Sequence, residues 1–135
     1  MAGTRDLGDI FETVDDGLHL HNKLVKTART AVSIITGTLA YTVMSITASA
    51  NLTRIVLEMP ALTAATVLGV ITVENSDGVV IYESSTCGES DVHLIAPDPT
   101  IPIVGTNVVK LTLDKDPDGT AAVLGYVTGY LEGRN

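Results

Sequence analysis

The sequence predicts an all-β protein, an antiparallel β-sandwich of jelly-roll-like type carrying an N-terminal arm or short helix. Three observations point there. From about residue 33 onward, short Val/Ile/Thr-rich runs alternate with turn residues at the spacing of a sandwich or barrel. Within several runs the apolar residues recur with period two, so each run has one buried face. The apolar stock is also almost purely aliphatic: 45% of residues are hydrophobic, with one Phe, four Tyr and no Trp. A core built from such residues is made largely of strand formers. A chain of 135 residues fits one domain, and its pattern divides into residues 1–32, the arm, and residues 33–135, the sandwich.

In the arm, acids come first and bases after. Asp6, Asp9, Glu12, Asp15 and Asp16 precede Lys23, Lys26 and Arg29. Leu7, Ile10, Phe11 and Val14 fall at i, i+3, i+4 and i+7, which places them on one face of a short helix beginning near Asp6. Asp15-Asp16-Gly17 stops it. The following stretch, LHLHNKLVKTARTAVSII, fits either period: Leu24, Val25, Ala28 and Val32 make a helical face, while Leu18 and Leu20 alternate with His19 and His21 as in a strand. An extended arm lying on a neighbouring subunit fits the same charged segment.

In the body, strands are expected near 32–37, 41–48, 53–59, 66–74, 79–84, 92–95, 106–114 and 120–131, about eight in all. In 53–59, Ile55, Leu57 and Met59 face one way and Arg54 and Glu58 the other. In 106–114, Val109, Leu111 and Leu113 oppose Lys110, Thr112 and Asp114. Asn75-Ser76-Asp77-Gly78 supplies a turn, making 67–83 a hairpin. Pro97, Pro99 and Pro102 predict a surface excursion between Ser84 and Gly105 with one short strand inside it. In the last strand Val123, Val127 and Leu131 line one face with Gly125 and Gly129, and Leu124, Tyr126 and Tyr130 line the other. Glycines on that first face permit close approach by a neighbouring layer or chain.

Formal net charge is −8, and the bases never cluster beyond Lys23, Lys26 and Arg29, so no nucleic-acid partner is expected. The longest uncharged run, between Arg29 and Arg54, is broken by Thr, Ser and Gly every few residues and reads as strands, not as a membrane span. The single Cys87 makes no internal disulfide. The first residues lack a signal-peptide pattern, so synthesis in a reducing cytoplasm is expected.

The stretch DKDPDG, residues 114–119, opens like a calcium loop. An EF-hand starting at Asp114 requires a bidentate Glu at its twelfth position, which here is Gly125. Pro-Asp-Gly between two strands reads instead as a tight turn. His19 and His21 sit on one side of a strand, but no third ligand is fixed for zinc. Cys87 and His93 lack an orienting acid, and Glu83, Glu89, Asp91 and Asp98 read as solvated loop carboxylates. No P-loop, nucleophile elbow or dinucleotide fingerprint occurs. The expectation is a non-enzymatic protein without cofactor, catalytic residue or metal.

The segments GDIFETVDDGLHLHN, TVLGVITVENSDGVVIYES and TNVVKLTLDKDPDGTAAVLGYVTGYLEG together resemble, in general texture over the whole chain, the capsid decoration or cement proteins of tailed bacteriophages. The resemblance implies a homotrimer or homodimer on the outside of a phage head, partnered with the major capsid protein and bridging capsomers. It places the protein in the virion after synthesis in the host cytoplasm. Leu7, Ile10, Phe11 and Val14, with Tyr126 and Tyr130, are the interface residues expected. Other readings are another phage structural part (tail tube, head–tail connector or fibre base) and a carbohydrate-binding β-sandwich module.

Overall fold

The computed structural model describes residues 24–63, 66–119 and 121–133, and among these the chain is all-β with no helix. Nine strands follow in order: β1 Leu24–Lys26, β2 Thr30–Ile34, β3 Ala40–Met59, β4 Leu68–Glu74, β5 Val80–Glu83, β6 Cys87–Gly88, β7 Asp91–Ile95, β8 Ile101–Leu113 and β9 Val123–Gly133. All pairings are antiparallel, in the order β1-β9-β3-β8-β4-β5, with β2 also on β9, β7 on β3 and β6 on β4. Late strands interleave with early ones, the connectivity of Greek-key sandwiches. The expected arm helix over Leu7, Ile10, Phe11 and Val14 lies outside the described residues.

One strand organises the molecule. β3 is 20 residues long, on the order of 65 Å if straight, far longer than a domain of this size is deep. It therefore bends. Its first part, Ala40–Leu52, pairs with β8, and its second part pairs with β9 on one side and β7 on the other. The sheet thereby folds over on itself. A Cβ on Gly69, which lies opposite Leu113 near the start of β3, would come 3.4 Å from the Met59 side chain at its end. A Cβ on Gly129 of β9 would come 3.8 Å from Ile46.

Two bulges make this bend compatible with one apolar face. The register shifts between Thr42 and Met44 and again between Leu52 and Arg54, so Val43 and Thr53 are extra residues. Buried positions run Ile46, Ala50, Leu52 before the second bulge and Ile55, Leu57, Met59 after it. Each inserted residue switches which parity faces inward, and the core face stays continuous. The sequence reading divided this stretch into two strands, 41–48 and 53–59. The faces assigned to the second were correct; residues 49–52 continue the strand in regular register with β8, and the irregularity is the bulge at Thr53.

The core is aliphatic throughout: Ile34, Leu52, Leu57, Ile71, Ile103 and Leu111 are wholly buried, each contributing about 1.5–3 kcal/mol by removal from water. Val109, Leu111 and Leu113 face inward from β8 and Thr112 and Asp114 outward, as expected. The hairpin at 75–78 is also as expected. Asn75 Oδ1 accepts from the Asp77 and Val79 amides at 2.9 and 3.0 Å, and Gly78 takes φ +80°.

The proline-rich excursion is shorter than predicted, because β8 already begins at Ile101. Pro102 pairs with Asn51 while β4 joins β8 only from Val108 onward. The missing amide at Pro102 thus falls where β8 is an edge, the place proline tolerates. Asn107 is buried on the core side of β8, and its Oδ1 has no hydrogen-bond partner among the described residues.

Candidate interaction surface

The sheet of β1, β2, β9, the second part of β3, and β7 has an outer face whose composition is set by strand parity. Directly paired antiparallel residues share a face. Arg54 is therefore beside Tyr130, Val56 beside Thr128 and Leu94, and Glu58 beside Tyr126 and Val92. Ala31 and Ser33 of β2 continue the rows from Tyr126 and Leu124, and Lys26 of β1 continues the row from Tyr130.

The two tyrosines named from sequence, Tyr126 and Tyr130, lie on this outer face, half-buried. Each is covered by an arginine. The Arg29 guanidinium lies 3.5 Å from the centre of the Tyr126 ring, and that of Arg54 lies 5.7 Å from the centre of Tyr130. Arg29 also makes a two-pronged pair with Glu58, Nη2 to Oε1 at 2.8 Å and Nε to Oε2 at 3.0 Å. That hydrogen bonding holds the Glu58 carboxyl below the usual carboxylate range and raises Arg29 above its own. Arg29, Tyr126 and Glu58 form one cluster joining the residue just before β2 to β9 and β3.

Around this cluster the face is apolar and open. Leu94 is 69% exposed, Val92 56% and Leu124 50%. Arg and Tyr beside exposed aliphatics is the composition that distinguishes protein–protein contact surfaces. Two hollows mark its ends: one of about 420 Å³ lined by Arg29, Glu58, Val92, Leu124 and Tyr126, and one of about 260 Å³ lined by Leu24, Arg54, Ala96 and Tyr130. A second apolar surface is an edge. Val79, Val80 and Ile81 at β5 are 56%, 50% and 39% exposed, and among the described strands β5 pairs only with β4.

The glycines of β9 are crowded first by the paired strand: a Cβ on Gly125 would meet the Glu58 carbonyl of β3 at 3.1 Å, and one on Gly129 would meet Leu52 of β3 at 3.3 Å.

The acidic stretch 114–119 is divided among structural tasks. Asp114 Oδ1 accepts from the Leu68 amide at 2.9 Å. Asp116 Oδ1 accepts from the Gly37 amide at 2.8 Å and the Thr36 hydroxyl at 3.3 Å. Gly119 takes φ +77° to close the turn. No group of three His, Cys, Asp or Glu able to hold a metal ion occurs among the described residues; His19 and His21 lie outside them.

A hollow of about 290 Å³ does bring Cys87 and His93 together, with Tyr82 and Leu94. The thiol is buried, and burial pushes its pKa up, which opposes the thiolate form a nucleophile needs. His93 Nε2 is 2.7 Å from the Gly88 carbonyl oxygen.

Glu89 is not the solvated loop carboxylate the sequence suggested. Its two oxygens accept from the Leu62 and Val67 amides at 2.9 and 3.2 Å, pinning the loop between β3 and β4. Leu7, Ile10, Phe11 and Val14 lie outside the described residues. The sequence reading missed Val92 and Leu94, because a five-residue strand just before a proline-rich loop gives no face until its partner, β3, is known, and Arg29, because its partners Glu58 and Tyr126 are distant in sequence. Among the described residues no helix is long and apolar enough to cross a membrane.

No protein-family model and no curated protein matches the chain. Among solved structures it has a distant likeness to a chain in the structure of infectious bursal disease virus Gx strain, at 14% identity and TM-score 0.37, over 84% of this chain and 34% of that one. A chain in the structure of the Gt strain of the same virus gives 14% identity and TM-score 0.40, over 84% and 32%. The chain thus spans about a third of the length of these two chains. Likeness of this degree assigns neither family nor activity.

Proposed function

We propose that this protein is a non-enzymatic structural component of a virion, a decoration protein that oligomerises, binds the outside of a phage head through the major capsid protein and bridges capsomers. The observation that carries the reading is the pair of apolar surfaces on one small domain, an arginine–tyrosine sheet face and the Val79–Ile81 edge. Bridging requires at least two docking surfaces per copy. Modest contacts repeated over a shell then gain through multivalency. The buried thiol at Cys87 and the separate duties of Asp114, Asp116 and Glu89 fit a protein that works by contact.

The test is co-sedimentation of the purified protein with undecorated phage heads. Saturable binding at a fixed number of copies per head is expected. Absence of binding at saturating protein overturns the reading.

One observation favours a second reading within the same class. An exposed aliphatic edge strand is suited to strand addition between copies, which builds rings and tubes such as a tail tube or connector. Rings or tubes of the purified protein in electron micrographs would select it. A carbohydrate-binding module fits less well, because Tyr126 and Tyr130 are covered by arginines and offer no free stacking platform. Binding on a glycan array would restore it.

A further inference from the structure

Two kinds of contact attach β1 and β2 to the rest of the molecule, and only one kind depends on which copy they belong to. We propose that these strands, with the residues between them, form a ribbon over residues 24–34 that is exchangeable between copies, and that a latch on the hinge at 35–39 holds it on its own copy.

The first kind of contact travels with the ribbon. Among the described strands, β1 and β2 pair only with β9, along its side away from β3. Val32 and Ile34 are buried in the core. The Thr27 amide donates to the Gly129 carbonyl at 2.8 Å, and the Gly129 amide donates to Thr27 Oγ1 at 2.9 Å. Arg29 is paired with Glu58 of β3. These partners all follow the hinge in sequence, so a ribbon seated on a second copy remakes each contact with the same geometry. That identity names the occupant: the surface shown to fit residues 24–34 is the flank of β9, and a second copy carries the same flank.

The second kind is confined to the hinge. Asp116 Oδ1 accepts from the Gly37 amide at 2.8 Å and from the Thr36 hydroxyl at 3.3 Å. The Tyr41 hydroxyl accepts from the Ile35 amide at 3.2 Å and donates to the Thr38 carbonyl at 2.8 Å. Gly37 takes φ +92° in this turn. These bonds require the chain to fold back between β2 and β3, and an extended hinge loses them. The balance between closed and exchanged copies therefore rests on the hinge and on protein concentration. Ile35 and Leu39 pull toward exchange. Both are exposed in the closed hinge, and in a two-fold exchanged pair the hinges run side by side, where these side chains cover one another.

Disulfide capture on the full chain tests this without any phage head, so it holds or fails independently of shell binding. Ser33 and Leu124 are direct partners across β2 and β9, and both are exposed. In a Ser33→Cys/Leu124→Cys variant a closed copy oxidises within one chain, whereas exchanged copies become linked at twice the 14.1 kDa chain mass. Each single-cysteine variant measures random cross-linking. Refolded at high concentration and oxidised, the double variant with Asp116 intact is expected to run mainly as single chains. Adding Asp116→Ala is expected to raise the linked fraction at least about tenfold, because two latches open in each exchanged pair. Adding Arg29→Ala instead is expected to leave that fraction unchanged, since the Arg29 contact is remade in either state. Should Asp116→Ala lose the β circular-dichroism spectrum, Tyr41→Phe is read in its place. A linked fraction no higher with the latch variant than without it overturns the proposal. So does an equal rise with Arg29→Ala, which would put control of exchange outside the hinge.

Discussion

Glu58 shows how much one outward-facing carboxylate does in this sheet. It lies between Tyr126 and Val92 in adjacent strands and holds Arg29 over the tyrosine ring. Because its folded pKa is depressed below the unfolded value, its contribution to stability is present above the unfolded pKa, near 4.3, and is lost as pH falls through the lower folded one. The gap in urea midpoint between wild type and Glu58→Gln is therefore expected at pH 7 and narrows progressively below about pH 4. A gap that stays constant on acidification would contradict this. Gly125 is constrained differently. An added methyl meets backbone, the Glu58 carbonyl at 3.1 Å, whereas at Gly129 it meets the movable tip of Leu52. Gly125→Ala is expected to destabilise by about 1–3 kcal/mol and Gly129→Ala by less, both read from denaturant melts.

At the scale of the element, β3 depends on its bulges. Deleting Thr53 removes the extra residue and puts Leu52 and Arg54 into plain alternation, so Ile55, Leu57 and Met59 stay inward while the bulge and its local bend are lost. The deletion is expected to keep cooperative unfolding but to lower the urea midpoint. Thr53→Ala keeps the bulge and loses only the hydroxyl bond to the Tyr130 carbonyl at 3.2 Å, about 1 kcal/mol. A deletion no less stable than Thr53→Ala would show that the bulge does not support the bend of this strand. The same strand shows what the sequence made legible. Alternation reveals a face within any one regular run, so Ile55, Leu57 and Met59 and the row Val109, Leu111, Leu113 could be read directly. A bulge interrupts alternation, so Leu52 fell outside both expected strands, 41–48 and 53–59, although it continues the face of Ile55. The turn at Asn75–Gly78 was legible because its chemistry is local. The clamp of Glu89 on Leu62 and Val67 was not, since its partners lie 27 and 22 residues away. The face containing Tyr126 and Tyr130 was half legible: the tyrosines follow from the alternation of β9, while Val92, Leu94 and Arg29 join them only through pairing of β7 and β2.

For the molecule as a whole, stability resides in aliphatic packing between two layers joined by β3. Leu57, wholly buried at the centre of that packing, is expected to cost about 2–5 kcal/mol when cut to alanine, enough to remove much of the stability of a small domain. Urea unfolding reads it, and a loss under 1 kcal/mol would contradict a close-packed core at that point. With the interior given over to packing, the surfaces are left to act. On this account the arginine–tyrosine face and the β5 edge work as contacts in a shell, and the most direct measurement is electron cryomicroscopy of undecorated heads incubated with the protein. Density on the outer surface at the junctions between capsomers, each copy touching two neighbours, is the predicted result. A bare shell at saturating protein, or density confined to the tail, would contradict it.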